Sequence, residues 1–126
     1  MDSELQSIVV CDDLLLDDQT PIIDMFIRGR HANTSVIYLS QAYFRVPRAI
    51  RLQANYYSIF ECGRREMLSL YQELGNDLDQ REFFDRCKNA MCFAYSFLFV
   101  DKNTKVRKLR YRKGFQEIYY DDDTSI

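Results

Sequence analysis

The chain has 126 residues, of which 47% are apolar and 29% are charged. This length and composition are typical of a single globular domain with a sizeable core, and they exclude a chain that is largely disordered. The formal net charge of -2 argues neither for nor against a nucleic-acid partner, so any basic surface has to be local.

The sequence favours a soluble, intracellular protein. The longest apolar run, residues 91–100, is too short to span a bilayer. The acidic start of the chain has no apolar segment of the kind found in signal peptides. The cysteines form no C-x-x-C pair and are remote from the only histidine, so we expect reduced thiols rather than a zinc site (Cys11, Cys62, Cys87 and Cys92).

The first part of the chain predicts two buried strands joined by a helix. Residues 7–12 form a continuous apolar run, which is typical of a strand covered on both faces in a parallel sheet. Thr20 is the expected N-cap of a helix with proline at its first position, and the apolar spacing carries that helix to about His31. Asn33 suits a left-handed residue after the helix. Residues 35–40 then predict the second buried strand.

The rest of the chain predicts further elements in the order helix, strand, helix, helix, strand, strand. The predicted ranges are a helix at 47–53, a strand at 56–62, a helix at 64–74 that stops at Gly75, a helix capped by Asp77 or Asp79, strands at 92–100 and 105–112 joined by a turn at 101–104, and a short strand at 115–120. Alternating strands and helices predict an α/β fold with a parallel sheet and a C-terminal antiparallel hairpin. Residues 121–126 are expected to be an acidic, frayed tail.

Polar side chains follow both of the first two strands. Asp12 and Asp13 end the first strand, at the edge where open α/β sheets bind their ligands. There one carboxylate can hold Mg²⁺ and its neighbour can polarise an attacking water. Gln41 follows the second strand, and its amide can hydrogen-bond both a γ-phosphate oxygen and that water. The alternative is that these residues only begin polar loops.

Two arginines, Arg28 and Arg30, end the helix between these strands, and we expect them near the same edge of the sheet. A guanidinium group offered to the nucleotide of a neighbouring subunit stabilises transition-state charge, as arginine fingers do. The alternative is a solvated helix end, where arginine suits the helix dipole. His31 is interpreted as structural.

The chain contains the blocks VVCDD at residues 9–13, RGRHAN at 28–33 and VIYLSQAYF at 36–44, followed by PRAIR at 47–51. Together they resemble the viral genome-packaging ATPases of the poxvirus type, in the FtsK/HerA branch of P-loop ATPases. The resemblance implies a three-layer RecA-like P-loop ATPase core that uses ATP and Mg²⁺. It implies that Asp12 and Asp13 are the Walker B acids, with Asp12 holding the ion directly or through water. It also implies that Gln41 is the sensor amide at the nucleotide and that Arg28 or Arg30 is the finger.

The sequence departs from that family at two points. Asp13 stands where many relatives have glutamate, and the shorter side chain reaches less far toward a water. More important, no G-x-x-x-x-G-K-[ST] phosphate loop occurs in these residues, so the backbone nest and the lysine that bind most of the nucleotide are missing. The chain therefore resembles the C-terminal half of such a core, a partial ATPase domain over residues 1–120. ATP and Mg²⁺ would bind only with a completing phosphate loop.

A basic run at residues 102–113 is a separate feature. On a strand, Lys108, Arg110 and Arg112 would share one face and could follow the phosphates of translocated DNA. The alternative, which we favour, is an edge strand whose cations prevent edge-to-edge pairing. A neighbouring series of aromatic rings is interpreted as core rather than as a base-stacking platform (Phe93, Tyr95, Phe97 and Phe99).

The leading hypothesis is the C-terminal part of a DNA-packaging ATPase that couples ATP hydrolysis to translocation of double-stranded viral DNA into a capsid. The resemblance implies a homo-oligomeric ring, since the finger comes from a neighbouring subunit, and a capsid portal or vertex protein as a further partner. It implies a location in the virus factory or the virion. Two alternatives stay open: a non-catalytic remnant that binds DNA or a partner, and a cellular DNA translocase of the same branch.

Overall fold

The computed structural model describes residues 5–12, 18–29, 33–106, 109–115 and 117–118. The chain forms two compact units, residues 1–54 and 55–126. The first contains a parallel pair of strands and the second an antiparallel sheet, so the predicted α/β class is confirmed. Among the described residues, no helix is long and apolar enough to cross a membrane.

The first unit is built on a strand–helix–strand crossover. Strand β1 (Ser7–Asp12) and strand β2 (Thr34–Leu39) are parallel, with Ser7 opposite Thr34 and Asp12 opposite Leu39. Helix α1 (Thr20–Arg28) connects them, and a 3-10 turn (Tyr43–Arg45) leads to helix α2 (Arg48–Gln53). These elements were predicted to within a few residues, because their apolar spacing is local and unambiguous.

The ends of α1 differ slightly from the prediction. Gln19, not Thr20, is the N-cap residue, and it makes no side-chain cap hydrogen bond. Instead, the carboxylate of Asp18 accepts hydrogen bonds from the backbone N–H and the hydroxyl of Thr20, at 3.0 and 2.9 Å. Asn33 has a φ of 52°, which confirms the predicted left-handed residue before β2.

One face of the β1–β2 pair packs on the helices. The core of this unit is centred on Cys11, Ile22 and Ile50, and partly buried side chains from both strands, from α1 and from the turn before α2 surround it (Val9, Ile23, Met25, Phe26, Val36, Tyr38 and Val46). The side chains therefore alternate along each strand between this core and the opposite face of the sheet.

The opposite face of the pair is open. Its apolar side chains are 70%, 55%, 47% and 46% exposed (Ile8, Val10, Ile37 and Leu39). The prediction that these strands are covered on both faces is therefore wrong for the described structure. The apolar composition of β1 and β2 is typical of strands that are covered on both faces, but the helices of this unit cover only one face of the pair.

The second unit contains an antiparallel sheet in the order β3-β4-β5-β6. Its strands are β3 (Tyr56–Ile59), β4 (Leu98–Asp101), β5 (Tyr111–Lys113) and β6 (Glu117–Ile118). We expected the third strand to extend the parallel sheet, and this was wrong: β3 pairs antiparallel with β4, with Tyr57 opposite Val100. Its partner lies about forty residues away in the chain, so local pattern carries no information about the pairing.

Two helical segments pack on the inner face of this sheet. Helix α3 (Arg64–Leu70) continues into a π-turn (Tyr71–Gly75), and helix α4 (Gln80–Ala90) follows. The carboxylate of Asp79 accepts a hydrogen bond from the backbone N–H of Glu82 at 2.8 Å, which confirms one of the two predicted caps. The most deeply buried side chains come from both the helices and the sheet (Leu70, Phe83, Cys87, Leu98, Val100 and Tyr111).

The predicted hairpin strands are much shorter in the structure. Residues 92–97, predicted as strand, form turns, in which Ser96 Oγ donates to the carbonyl of Phe93 at 2.6 Å and Tyr95 has a φ of 64°. The predicted turn after β4 does form, because the Asp101 carboxylate accepts from the N–H groups of Asn103 and Thr104 at 2.9 and 3.2 Å. The next strand then begins only at Tyr111, rather than at residue 105.

Candidate functional site

The carboxyl ends of β1 and β2 meet at one edge of the parallel sheet. Asp12 pairs with Leu39, so the segment that follows β2 begins beside the end of β1. An open cavity of about 350 Å³ lies there, and it is lined by Asp12, Leu39, Ser40 and Gln41. The structure thus brings Asp12 and Gln41 to one cavity. Asp13 lies outside the described residues.

The lining includes Ser40, to which sequence reasoning assigned no role. Its hydroxyl accepts a hydrogen bond from the backbone N–H of Ala42 at 3.2 Å and donates to the carbonyl of the same residue at 3.0 Å. This short turn fixes the backbone that carries Gln41 away from the end of β2. The sequence feature that could have identified Ser40 was its position between the buried strand and Gln41.

The polar side chains of the cavity offer a carboxylate, a hydroxyl and an amide oxygen. Such ligands suit Mg²⁺, which takes one or two carboxylates and otherwise keeps water or phosphate oxygens. Among the described residues there is no group of three or more His, Cys, Asp and Glu side chains that could hold a metal.

The start of α1 is fixed near the same edge. The Tyr38 hydroxyl donates a hydrogen bond to Oε1 of Gln19 at 2.7 Å, and Tyr38 lies opposite Cys11, one residue before Asp12. The hydrogen bonds from Thr20 hold the pKa of Asp18 below its usual value. Because α1 begins at this edge, the positive end of its dipole lies at the carboxyl ends of β1 and β2, as it does in strand–helix–strand units that bind anions.

The arginine at the end of α1 lies at the other edge of the sheet, so our expectation for it was wrong. α1 runs back across the pair, and a Cβ on Gly29 would lie 2.8 Å from the carbonyl oxygen of Thr34, the first residue of β2. Five residue steps along β1 separate this edge from Asp12, about 17 Å at the rise of a β-strand. Arg28 is exposed at that edge, and it does not line the cavity at the ends of β1 and β2. Arg30 and His31 lie outside the described residues.

The predicted basic stripe does not form on one strand. Arg110 precedes β5 and forms an ion pair with Asp77 at 3.1 Å. Arg112 lies on β5 and forms an ion pair with Asp101 at 3.4 Å. Lys108 lies outside the described residues. The two described arginines of the stripe are therefore each paired with a separate carboxylate, and of these two only Arg112 is part of a strand.

Comparison with known proteins found no relative of this chain. The sequence matches no protein-family model and no curated protein, and the fold matches no solved structure.

Proposed function

We propose that this chain is the C-terminal part of a DNA-packaging ATPase, which couples ATP hydrolysis to translocation of double-stranded viral DNA into a capsid. The observation that carries the proposal is the cavity at the carboxyl edge of β1 and β2, where Asp12, Ser40 and Gln41 present oxygen ligands. The resemblance of residues 9–13, 28–33 and 36–44 supplies the class of enzyme. A RecA-like core, with β1-α1-β2 as part of it, belongs to the proposal.

Each cavity residue has a separate task in this proposal. Asp12 would hold Mg²⁺, directly or through water, and the ion would neutralise part of the phosphate charge. Asp13 would polarise the attacking water. The amide of Gln41 would donate an N–H to a γ-phosphate oxygen and accept a hydrogen bond from that water at its carbonyl oxygen. This alignment removes part of the entropic barrier to attack.

Two features support the need for a completing segment. The sequence contains no phosphate loop. In addition, the open face of the β1–β2 pair exposes apolar side chains, whereas parallel strands are ordinarily covered on both faces. A segment that carries the phosphate loop would supply the backbone nest and would also bury this face.

The position of Arg28 supports an assembly of several subunits. Arg28 lies too far from the cavity of its own chain to act there. As a finger, it would therefore have to reach the nucleotide of a neighbouring subunit. A homo-oligomeric ring around double-stranded DNA provides such neighbours at every interface. Arg28→Ala should then reduce the hydrolysis rate of the assembled motor without reducing nucleotide binding by the separated subunit.

The binding test uses this sequence joined to a phosphate-loop segment, because ATP and the metal ion are expected to bind only when that loop is present. Paramagnetic Mn²⁺ with ATP is added to isotope-labelled protein, and the broadening of backbone amide signals is measured by NMR. We expect broadening at Asp12 and at residues 39–41, and its loss in Asp12→Asn. Asp24→Asn, an exposed carboxylate on α1, is the matched control and should leave the broadening unchanged. Equal broadening in both variants, or none at Asp12 at millimolar Mn–ATP, would refute the proposed site.

The catalytic roles are tested in a motor in which this sequence is joined to a phosphate-loop segment. Gln41→Ala should abolish hydrolysis and leave ATP binding largely intact, because the amide makes only one hydrogen bond to the nucleotide and the phosphate loop supplies most of the affinity. Normal turnover in Gln41→Ala would overturn the assignment. The alternative of a non-catalytic module is favoured if the joined protein binds DNA but neither binds nor hydrolyses ATP.

A further inference from the structure

The outer face of the antiparallel sheet carries a continuous row of aromatic rings. The ring centroids of neighbours lie 5.0 Å apart for Phe60 and Phe97, 4.8 Å for Phe97 and Phe115, 5.3 Å for Phe115 and Phe99, and 5.8 Å for Phe99 and Tyr56. We call these five residues the aromatic row. The prediction that the rings at 93, 95, 97 and 99 belong to the core is wrong for Phe93 and Tyr95, which are exposed, whereas Phe97 and Phe99 are partly buried within this row.

The row lies on the face that the helices do not cover. Along β3, Tyr57 is buried, whereas its neighbours Tyr56 and Ser58 are exposed, and β4 shows the same alternation around Leu98 and Val100. Tyr56, Phe60 and Phe115 are 56%, 51% and 64% exposed. Contiguous exposed aromatic area of this kind is uncommon on a protein surface and marks a site of interaction.

A cation is fixed over the row. The guanidinium carbon of Arg112 lies 5.6 Å from the centroid of the Phe99 ring, and Arg112 lies opposite Phe99 in the sheet register. Its position is held by Asp101 at 3.4 Å and by a hydrogen bond from Nε to the carbonyl of Leu109 at 3.0 Å. Arg112 is therefore a cation that the structure places on this face.

We propose that the aromatic row binds single-stranded nucleic acid, with bases stacked on Tyr56, Phe60 and Phe115 and with a backbone phosphate near Arg112. Exposed rings on a sheet surface provide faces for unpaired bases, and arginine and lysine side chains attract the phosphates. A duplex does not fit this description, because its bases are already stacked on one another. The inference is independent of the proposed ATPase activity.

The test uses the full chain without nucleotide, and it measures binding of fluorescein-labelled oligo(dT) by fluorescence anisotropy. Three unlabelled competitors are compared: oligo(dT), an abasic strand with the same number of phosphates, and a duplex of the same length. We expect oligo(dT) to compete about ten-fold better than either of the others, since base stacking supplies much of the affinity. Equal competition by the abasic strand would overturn the proposal, because it would reduce the contact to charge alone.

Variants of the exposed rings test the location. Tyr56→Ala and Phe115→Ala should each weaken binding by about 5- to 100-fold, whereas Tyr56→Phe should bind like the parent chain because it keeps the ring. Phe44→Ala is the matched control, since Phe44 is also exposed and also carries an arginine, with the guanidinium carbon of Arg51 4.8 Å from its ring centroid. Loss of binding in Phe44→Ala equal to that in the row variants, or no loss in either row variant, would refute the location.

The charge and the main rival occupant are tested separately. Arg112→Gln keeps the rings and should reduce the slope of log affinity against log salt by about 0.7, the value for one phosphate contact on a single strand. An unchanged slope would exclude Arg112 as a phosphate contact and would overturn that part of the proposal.

Sedimentation tests whether a second copy of this chain covers the face. Dimerisation that the row variants abolish, without binding of oligo(dT), would overturn the proposal.

Discussion

Tyr111→Phe is the substitution whose effect on stability the structure defines best. The side chain of Tyr111 is fully buried, and the single proton of its hydroxyl is shared between two acceptors, the carbonyl oxygen of Leu74 (2.8 Å) and the nearer Oδ1 of Asp77. These acceptors lie just before α4, so the hydroxyl ties β5 to that segment. Phenylalanine would keep the ring contacts with Phe83 and Arg86 at 6.1 and 5.9 Å. The substitution therefore isolates the hydroxyl.

The expected loss is that of one hydrogen bond, because the hydroxyl has one proton and the nearer acceptor is the Asp77 carboxylate. A hydrogen bond to a charged group contributes about 1.5–3 kcal/mol. Asp77 keeps its ion pair with Arg110 in the variant, and part of its carboxylate is reached by solvent, so the lower values apply. We expect the free energy of unfolding to fall by about 2 kcal/mol.

Urea unfolding followed by circular dichroism measures this difference from the shift of the midpoint at unchanged slope. Tyr95→Phe is the control, because Tyr95 is 92% exposed, and its free energy of unfolding should change by less than about 0.5 kcal/mol. Equal stability of Tyr111→Phe and the parent chain would refute the reasoning from this hydrogen bond.

The same hydroxyl has a pH dependence with a defined sign. Burial, and then the hydrogen bond to Asp77, raise the pKa of Tyr111 above its ordinary value of 10.0. The folded state therefore holds this proton more tightly than the unfolded state, so the stabilisation is complete below about pH 10 and is lost as the pH rises further. The difference in stability between the parent chain and Tyr111→Phe should shrink above pH 10; a difference that grows there would contradict the assignment.

Three further predictions concern the second unit. Gly75→Ala should destabilise it by about 1–3 kcal/mol, because the new Cβ would overlap the buried ring of Phe83, whereas Gly63→Ala has no atom within 4 Å of its Cβ and should change the unfolding free energy far less; equal effects would contradict the overlap. Asp79→Ala should lower the thermal midpoint by removing a cap of about 1 kcal/mol, and Asp79→Asn should retain most of it; identical midpoints in the alanine variant and the parent would exclude the cap. Exposed Cys92 should react with a thiol reagent first at neutral pH, because burial raises the pKa of Cys62 to about 11 and that of Cys87 to about 12; labelling of Cys87 before unfolding would contradict this order.

Sequence reasoning located the elements whose evidence is local. Strand β1, helix α1, the left-handed Asn33 and the Asp79 cap follow from neighbouring residues, and the cavity contains Asp12 and Gln41 because parallel strands bring their carboxyl ends to one edge. The finger candidate was misplaced for a topological reason. A crossover helix that starts at the carboxyl edge must end at the amino edge, which puts Arg28 there.

The errors in the second unit have a different cause. The alternating rings of residues 93–99 imitate a half-buried strand, but the turn at Phe93 and Ser96 and the positive φ of Tyr95 end the extended chain. Which of these rings lie in the core depends on the pairing of β3 with β4, and that pairing is set by packing between distant segments. Periodicity within a short window cannot supply it.

The separation of the chain into two units has a consequence for its synthesis. The β1-α1-β2 crossover lies within the first unit, residues 1–54, and its two strands pair with each other, so this unit can form before the second has been made. β3 is made soon afterwards but has to wait for β4, which ends at Asp101. During that interval the nascent chain displays the apolar outer face of β1 and β2 together with an unpaired strand.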